Sequence, residues 1–439
     1  MLNSSDIRNK NFRLVVTGMG RVGLPLAVSF ALKGVKVVGV EKRPETLNLL
    51  TNTKNVPFME KNLEKALEAA IKSKNLSFAQ YNQFSFKKSP IIILTVGTPL
   101  KENLSPDMSQ VNEAIERICK DADEDSIIIL RSTLVPGTTE KSVMSRIRKS
   151  GKSLHVAVCP ERIMEGKALE EVTRLPEIVG TDDECIGNLV RELFLLLNDQ
   201  KEIKITDTKT AEAAKIFTNV YRYVTFALAN EFALISEKLG IDSREAISLA
   251  NNKYHRSSIP MPGPAAGPCL RKDGLFLSNI SVLNLIKVAW LLNESIPLHI
   301  IDTIENRYGS IYGKVVGVLG RSYKSNIDDE RDSPAVKLIE ELNMKGATVK
   351  SFDPHSRNNF HTLKQVLESE IVILIVNHSY FDRITTSMLS KAKLIYDAWG
   401  QLSKLDLHSK GKVYLSLGVG REEVDTKKWN YNELMALKC

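Results

Sequence analysis

The sequence contains few cysteines, and they are scattered. There are five among 439 residues, an odd number, and no two stand in CxxC spacing. This distribution argues against a disulfide framework and against a zinc site, so we expect no bound metal. Each thiol therefore needs an explanation of its own. The five are Cys119, Cys159, Cys185, Cys269 and Cys439.

Long apolar runs and blocks of like charge are also missing. The longer apolar stretches, such as VLNLIKVAWLLNESIPLHII, are interrupted by Lys and Glu, and the opening MLNSSDIRNK is polar where a signal peptide would need an apolar core. The formal net charge of +8 is modest for this length, and no basic-aromatic interleaving marks a nucleic-acid site. We therefore expect a cytoplasmic protein that binds neither membranes nor nucleic acid and whose basic surplus suits small anions.

A glycine turn near the start predicts a dinucleotide site. FRLVVTGMGRVGLPLAVSFALKGVKVVGVE has the pattern of a strand, a glycine turn, an amphipathic helix and a second strand, which form one βαβ unit. Gly18 would allow the tight turn, Gly20 would let a pyrophosphate approach, and Gly23 would let the helix close on the strand. Glu41 ends the second strand, where a carboxylate accepts hydrogen bonds from a ribose and repels a 2′-phosphate, which favours NAD over NADP. A glycine turn without a ligand is the alternative.

Three further strand-like segments end in polar turns. They are IIILTVGTP (91–99), SIIILRSTLVPGTT (126–139) and LHVAVCPERIMEG (154–166). With helical patterns between them, they predict a mostly parallel, doubly wound sheet. Ligands of such sheets gather at the carboxyl ends of strands, where VGTP, STLVPGTT and PERIMEG lie. One such turn alone would indicate only turn chemistry, but three in succession favour a binding edge.

A long helix is predicted over residues 208–240, where apolar residues recur at spacings of three and four. Lys215 and Asn219 are spaced i, i+4, so they share one face and could donate several hydrogen bonds to one oxygen. From spacing alone, a solvated face with an ordinary lysine is the favoured reading.

The composition, 43% hydrophobic and 26% charged, is that of a soluble globular chain with length for two or three domains. A second α/β pattern without GxGxxG begins near residue 313. We predict an α/β fold of two Rossmann-like, doubly wound parallel-sheet domains joined by a helical middle domain. The predicted domains are the NAD-binding domain at 1–204, the helical domain that carries Lys215 and Cys269 at 205–300, and the C-terminal α/β domain at 301–439.

Seven motifs occur in an order that resembles the nucleotide-sugar 6-dehydrogenases, the family of UDP-glucose, UDP-N-acetylhexosamine and GDP-mannose dehydrogenases. They are GMGRVGLPLA, VGTP, STLVPGTT, PERIMEG, AAKIFTNVYRYVTFALANE, GPCLRKD and YKSNIDDERDSPA. The resemblance covers nearly the whole chain. It implies NAD as cofactor, a homodimer formed through the helical middle, and a C-terminal domain that holds the nucleotide of the sugar.

The resemblance also implies a reaction, the oxidation of the sugar C6 hydroxymethyl to a carboxylate in two hydride transfers to two NAD molecules. Cys269 would capture the intermediate aldehyde as a thiohemiacetal, and the second oxidation would give a thioester for water to cleave. The small residues of PGPAAG before Cys269 leave room for substrate. If CLRKD opens a helix, we expect the helix dipole to lower the thiol pKa.

The expected site residues follow by position. Lys215 and Asn219 would stabilise the developing alkoxide and oxyanion. Whether Glu161 or Asp273 takes the first proton is left open. The expected catalytic residues are Cys269, Lys215, Asn219, Asp273, Glu161 and Thr133. The expected cofactor contacts are Gly18, Gly20, Val22, Gly23, Glu41, Arg43, Thr98, Thr133, Glu165, Lys272 and Arg331. The expected substrate contacts are Glu161, Arg162, Lys215, Asn219, Arg256, Gly267 and Lys324.

Two features depart from the family pattern. Gly267 is followed by Pro268 where the family has two adjacent glycines, and Arg256 is offset from the family's substrate-gripping arginine. We therefore rank UDP-sugars first and leave glucose against N-acetylhexosamine open. The acidic product would serve polysaccharide or glycan synthesis.

Two other function classes remain as alternatives. A two-electron hydroxyacid dehydrogenase could share the glycine turn and the Lys215/Asn219 helix, but it would not need Cys269. A non-catalytic dinucleotide-binding protein would need none of the catalytic residues.

Overall fold

The computed structural model describes residues 2–53, 55–278, 280, 284–356 and 359–420. These residues divide into two compact units. The first takes the chain up to Tyr221 together with the segments Pro268–Asn284 and Asn326–Asp329, and the second takes the rest. The segment that contains Cys269 thus belongs to the first unit.

The first unit is built on one sheet. Its strands are β1 Arg13–Thr17, β2 Lys36–Glu41, β3 Leu76–Gln80, β4 Ile91–Leu94, β5 Ile127–Leu130, β6 His155–Val158, β7 Glu177–Gly180 and β8 Ile203–Thr206. Their order across the sheet is β3-β2-β1-β4-β5-β6-β7-β8. Neighbours pair in parallel except β6 and β7, which meet antiparallel. The first six strands therefore have the 3-2-1-4-5-6 order of a dinucleotide-binding sheet.

Helices cover both faces of this sheet, which explains why its parallel strands are apolar throughout. Alternate residues of β1 enter opposite cores, so that Leu14 packs with Phe30 on one face and Val15 packs with Ile115 on the other. The helices before the middle of the chain are α1 Ser4–Arg8, α2 Gly23–Leu32, α3 Pro44–Asn48, α4 Leu63–Lys72, α5 Ser109–Asp121, α6 Met144–Ser150, α7 Ala168–Arg174 and α8 Glu184–Leu195.

The middle of the chain is helical, as predicted. The long helix α9 spans Thr208–Leu239, and Gly240 follows it with φ +73°. Its buried residues recur at spacings of three and four, so one side of the helix packs against the protein while the other side remains exposed. The later helices are α10 Ser243–Asn251, α11 Leu270–Asp273, α12 Asn284–Tyr308, α13 Pro334–Met344 and α14 Leu363–Leu367.

The second unit contains a fully parallel sheet. Its strands are β9 Val315–Leu319, β10 Thr348–Phe352, β11 Ile371–Leu374, β12 Leu394–Asp397 and β13 Val413–Ser416. Their order is β10-β9-β11-β12-β13, which counts as 2-1-3-4-5 from its first strand and is another doubly wound order. Val318 and Val372 enter separate cores on the two faces.

The predicted fold class is therefore confirmed: two doubly wound, mostly parallel sheets with a helical middle. The proposed domain boundaries at residues 204 and 300 stay predictions. Within the described ranges, no helix has the length and apolar character needed to cross a membrane. In the same ranges, no cluster of His, Cys, Asp and Glu has a metal-binding arrangement.

Candidate active site

The glycine turn after β1 has the steric form of a dinucleotide loop. Gly18 has φ +89°, and its N–H donates to the Val40 carbonyl at 2.7 Å. A Cβ at Gly23 would lie 1.9 Å from the Gly18 carbonyl oxygen, so α2 can begin there only with glycine. A Cβ at Gly20 would meet no described atom within 4 Å, so the turn faces open space where a pyrophosphate would approach. Contacts of these glycines and of Val22 with NAD stay predictions.

Glu41 is fixed beside this turn at the end of β2. Its carboxylate is buried and accepts backbone N–H bonds from Met19 at 2.8 Å and from Lys42 and Arg43 at 2.9 Å each. These donors hold a negative charge where the ribose of a dinucleotide would lie. The residues therefore fit NAD, although the Arg43 side chain, 3.5 Å from the same carboxylate, is close enough to soften the repulsion of a 2′-phosphate.

Two further strand-end loops meet at the same edge of the sheet. The loop after β4 contains the buried Thr98, and the loop after β5 contains the half-buried Thr133. The Ser132 hydroxyl joins the loops by donating to the Val96 carbonyl at 2.6 Å. The predicted neighbourhood of Thr98 and Thr133 is thus present, while their contacts with cofactor or water stay predictions.

Asp273 is the centre of the cluster around Cys269. It is fully buried at the end of α11, and its Oδ2 accepts a hydrogen bond from the Asn219 amide at 2.6 Å. Its Oδ1 accepts one from the Lys272 ammonium at 2.9 Å. The Lys272 ammonium also lies 4.3 Å from the centre of the Phe276 ring. One buried carboxylate therefore joins α9 to the turn that follows the thiol.

The thiol lies in an electrostatically mixed setting. Cys269 is exposed to solvent at the start of α11, yet the protein atoms crowded around it desolvate the thiolate. This desolvation raises the pKa of Cys269, the Asp273 carboxylate raises it further, and Lys272 and Lys215 lower it only partly. The prediction of a lowered thiol pKa is therefore wrong, because desolvation and the Asp273 carboxylate outweigh the two lysines.

Lys215 lies on α9 one turn before Asn219 and is half-buried. Its charge acts on the Cys269 thiol. Among the described residues, its ammonium forms no hydrogen bond or ion pair. It is thus available to an oxygen beside the sulfur, whereas Asn219 is already bound through one N–H to Asp273.

Glu161 lies in a different environment, a buried ion network at the ends of β5 and β6. Its Oε2 accepts from Arg131 Nε at 3.0 Å, and its Oε1 accepts from the backbone N–H groups of Arg162 and Ile163 at 2.7 and 2.9 Å. Burial raises the pKa of Glu161, but the Arg131 guanidinium and the backbone N–H groups of Ile163 and Arg162 together outweigh burial and lower that pKa. The carboxylate is therefore held ionised and well supplied with donors.

Arg131 was not predicted from the sequence. It is almost fully buried, and its Nη1 donates to Glu177 at 3.0 Å. The other carboxylate oxygen of Glu177 lies 3.8 Å from the Lys201 ammonium. Two positive and two negative side chains thus form a balanced group, defined here as the four-charge network of Arg131, Glu161, Glu177 and Lys201. An arginine directly after an apolar strand is the one sequence signal that could have pointed to it.

A second unpredicted arginine lies inside the glycine turn. Arg21 Nη2 donates to Asp328 at 2.7 Å, and its Nη1 lies 3.8 Å from Glu165. The guanidinium also lies 5.1 Å from the centre of the Phe58 ring. Glu165, expected to contact the cofactor, is therefore joined electrostatically to the turn that would hold it, and it also acts on the Cys269 thiol.

The remaining predicted residues belong to the second unit. Gly267 has φ +101°, its N–H donates to the Asp332 carbonyl at 3.1 Å, and a Cβ there would lie 2.5 Å from the Tyr323 ring. Lys324 lies over the same ring at 5.9 Å. The Arg256 guanidinium lies 5.0 Å from the ring of its neighbour Tyr254, and Arg331 is exposed. Their roles toward substrate and cofactor stay predictions.

Comparison with known proteins gives consistent matches along the chain. Models of the UDP-glucose/GDP-mannose dehydrogenase family match residues 12–198 as the NAD binding domain, 209–293 as the central domain and 317–404 as the UDP binding domain. The chain is 35% identical over 428 residues to the UDP-N-acetyl-D-mannosamine dehydrogenase of Methanocaldococcus jannaschii, covering 93% of this chain and 97% of that protein.

Solved structures of two dehydrogenases share the fold of this chain over almost its whole length. The UDP-N-acetyl-D-mannosamine dehydrogenase of Pyrococcus horikoshii superposes with a TM-score of 0.87 at 30% identity, over 93% of this chain and 100% of that one. The UDP-N-acetyl-mannosamine dehydrogenase Cap5O of Staphylococcus aureus gives a TM-score of 0.83 at 29% identity, over 92% and 98%.

Proposed function

Because the chain belongs to the UDP-glucose/GDP-mannose dehydrogenase family and is an NAD-dependent nucleotide-sugar dehydrogenase, we propose that it oxidises the C6 hydroxymethyl of UDP-N-acetyl-D-mannosamine to a carboxylate. The reaction removes four electrons and takes place in the cytoplasm. The substrate is assigned from the named relatives that cover almost the whole chain. The acidic product is a precursor for polysaccharide or glycan synthesis.

The observation that carries the four-electron proposal is the Asp273 cluster beside the thiol. One oxidation of an alcohol needs a hydride acceptor and a proton acceptor, and it needs no cysteine. Here Cys269 lies within the electrostatic reach of Lys215, Lys272 and Asp273. A thiol placed among a free ammonium, an amide and a buried carboxylate is suited to covalent capture of an aldehyde.

In the first step the residues hold the C6 oxygen. The Lys215 ammonium and the second N–H of Asn219 stabilise the developing alkoxide. We assign the proton to Asp273, because the carboxylate of Glu161 is held by Arg131 and its lowered pKa makes it a weak base. NAD, when bound, takes up one hydride in each oxidation.

In the second step the Cys269 sulfur attacks the aldehyde carbon. A C–S bond forms, and the carbonyl oxygen becomes an oxyanion that Lys215 and Asn219 stabilise until it is protonated to a thiohemiacetal. Loss of a hydride and of the hydroxyl proton then gives the thioester. Water adds to that carbon, the C–S bond breaks, and the sulfur leaves as thiolate with the carboxylate as product.

The test is the number of NADH molecules formed per sugar nucleotide consumed. UDP-N-acetylmannosamine, UDP-N-acetylglucosamine, UDP-glucose and GDP-mannose are compared in parallel, and a yield of about two on the first is expected from two hydride transfers. Cys269→Ser should still bind the sugar nucleotide but form no acid, while Cys185→Ser, an exposed thiol elsewhere, should behave as the native enzyme. A yield of about one with active Cys269→Ser would favour a two-electron dehydrogenase.

The partner of helix α9 is a second copy of the chain. Phe217, Tyr221, Leu228, Ile235 and Leu239 are 43–65% exposed. At about 100° per residue they lie within about 40° of one another around the helix, as one apolar stripe. An exposed stripe of this length needs a cover, and a two-fold dimer buries it twice.

Light scattering after size exclusion tests this dimer. The double variant Leu228→Glu/Ile235→Glu should elute as a monomer, because it places charges in the stripe. Arg222→Glu, exposed on another face of the same helix, is the matched control and should stay dimeric. A native mass for the double variant would exclude α9 as the interface.

A further inference from the structure

A buried carboxylate that has no assigned role joins two catalytic elements of the first unit. Glu212 lies in the second turn of α9 and is 1% exposed. Its Oε2 accepts the Gly137 N–H at 2.5 Å. Its Oε1 accepts both the Thr139 N–H at 2.9 Å and the Thr139 hydroxyl at 2.6 Å. Three donors of one loop therefore converge on one side chain.

The loop that Glu212 holds is the one that carries Thr133. It runs from the end of β5 to the helical turn that starts at Thr139, and Gly137 adopts φ +91° within it. At its other end, Ser132 is bound to the Val96 carbonyl at 2.6 Å. Thr133 therefore lies between two anchors, Val96 in the loop after β4 and Glu212 on α9.

The helix that carries Glu212 also carries the residues assigned to the oxyanion. Lys215 follows it by three residues and Asn219 by seven, so all three lie on one side of α9. Asn219 in turn holds Asp273 at 2.6 Å. A displacement of the loop relative to α9 would thus separate Thr133 from the groups that act on the C6 oxygen.

We infer that Glu212 is a positioning residue for the proposed reaction, one that fixes the loop of Thr133 to the helix of Lys215 and Asn219. The inference rests on the proposed function, which gives those three residues their roles. Its chemical basis is the carboxylate, because two acceptor oxygens meet three donors. A glutamine of the same shape would offer one oxygen and turn an NH2 group toward a donor.

The experiment compares Glu212→Gln and Glu212→Asp with Glu140→Gln. Glu140 is exposed at the same helical turn and pairs with Lys209 at 3.1 Å. Its variant therefore removes a nearby charge while the bonds of Glu212 to Gly137 and Thr139, called the clamp here, stay in place. The values of kcat and KM are measured for UDP-N-acetylmannosamine. Each kcat is divided by the concentration of folded protein, taken from the fraction that elutes at the native mass with a native circular dichroism spectrum, so that unfolded protein does not count.

We expect Glu212→Gln to lower kcat by about tenfold to 10²-fold, since misplacement by about 1 Å costs that much, while KM changes by less than about threefold. Glu212→Asp keeps both oxygens and should recover part of kcat, which a purely structural role would not require. If Glu212→Gln does not fold, the Asp variant, with a partial loss of kcat at native KM, carries the test. Native kcat in Glu212→Gln with two NADH per sugar in the native enzyme overturns the inference and leaves the proposed function intact.

A native enzyme that oxidises none of the sugar nucleotides would refute the proposed function instead. Amide hydrogen exchange then decides the clamp by itself. Faster exchange confined to residues 132–139 in Glu212→Gln supports a loop fixed by Glu212. Unchanged exchange there overturns the inference.

Discussion

Replacing Asp273 with Asn is expected to slow acid formation. In the native chain its two oxygens accept hydrogen bonds from Asn219 at 2.6 Å and from the Lys272 ammonium at 2.9 Å. An asparagine offers one acceptor oxygen, so one bond to a charged group is lost and Lys272 loses its counter-ion. Such a bond is worth about 1.5–3 kcal/mol. Asparagine also cannot take up the proton assigned to Asp273, a role that contributes about 10²–10⁴-fold, so kcat should fall by at least about 10²-fold.

The same substitution should act on the thiol in the opposite direction. Desolvation by the surrounding protein and the Asp273 carboxylate raise the pKa of Cys269. Without that carboxylate the pKa of Cys269 falls, and alkylation by iodoacetamide at neutral pH becomes faster. A more reactive thiol in a less active enzyme would separate the electrostatic role of Asp273 from its role in catalysis.

Two measurements on one preparation of Asp273→Asn test the expected loss of kcat and the expected gain in thiol reactivity. Single-turnover NADH formation gives the chemical step, and the labelling rate of the Cys269 peptide gives the thiol reactivity. Asp182→Asn, an exposed carboxylate, is the control and should match the native enzyme in both. The reasoning fails if Asp273→Asn keeps the native kcat, or if its thiol reacts more slowly.

Three further outcomes are expected. Because the pKa of Cys269 is raised by desolvation and Asp273, the thiolate fraction is small at neutral pH and grows with pH, so a kcat–pH profile of acid formation should climb on the alkaline side; a flat profile would contradict this. Glu41→Ala should reduce the preference for NAD over NADP in kcat/KM by about tenfold or more, since it removes the charge that repels a 2′-phosphate; an unchanged ratio would place discrimination elsewhere. Arg131→Met leaves Glu161 and Glu177 with one buried cation and should lower the free energy of unfolding in urea by about 3–5 kcal/mol; a native midpoint would exclude the four-charge network as a stabilising group.

The parts of this molecule that follow local rules could be predicted from the sequence. The glycine turn specifies its own geometry, since the contact between Gly18 and Gly23 leaves no room for a side chain. The period of apolar residues predicted α9 to within one residue of its observed end at Leu239. The family resemblance placed both Asn219 and Asp273 in the expected site, and the structure shows a direct hydrogen bond between them.

The parts that depend on distant charges could not be predicted. Arg21 and Asp328 are separated by 307 positions, and Arg131 and Glu177 by 46, so no periodicity marks either pair. The direction of the Cys269 pKa shift likewise depends on how many atoms crowd the sulfur and on which charges lie nearest. Ion pairs between distant residues and the pKa shift of a crowded thiol depend on the folded chain, so spacing along the sequence does not reveal them.

The balance of the four-charge network limits how this sequence can change. Two cations and two carboxylates, all buried, leave no excess charge within this network. Any single replacement that removes a charge creates an unpaired one in a medium that stabilises it poorly. A replacement that removes the charge of Arg131 is therefore best tolerated when one of the two glutamates is neutralised together with it.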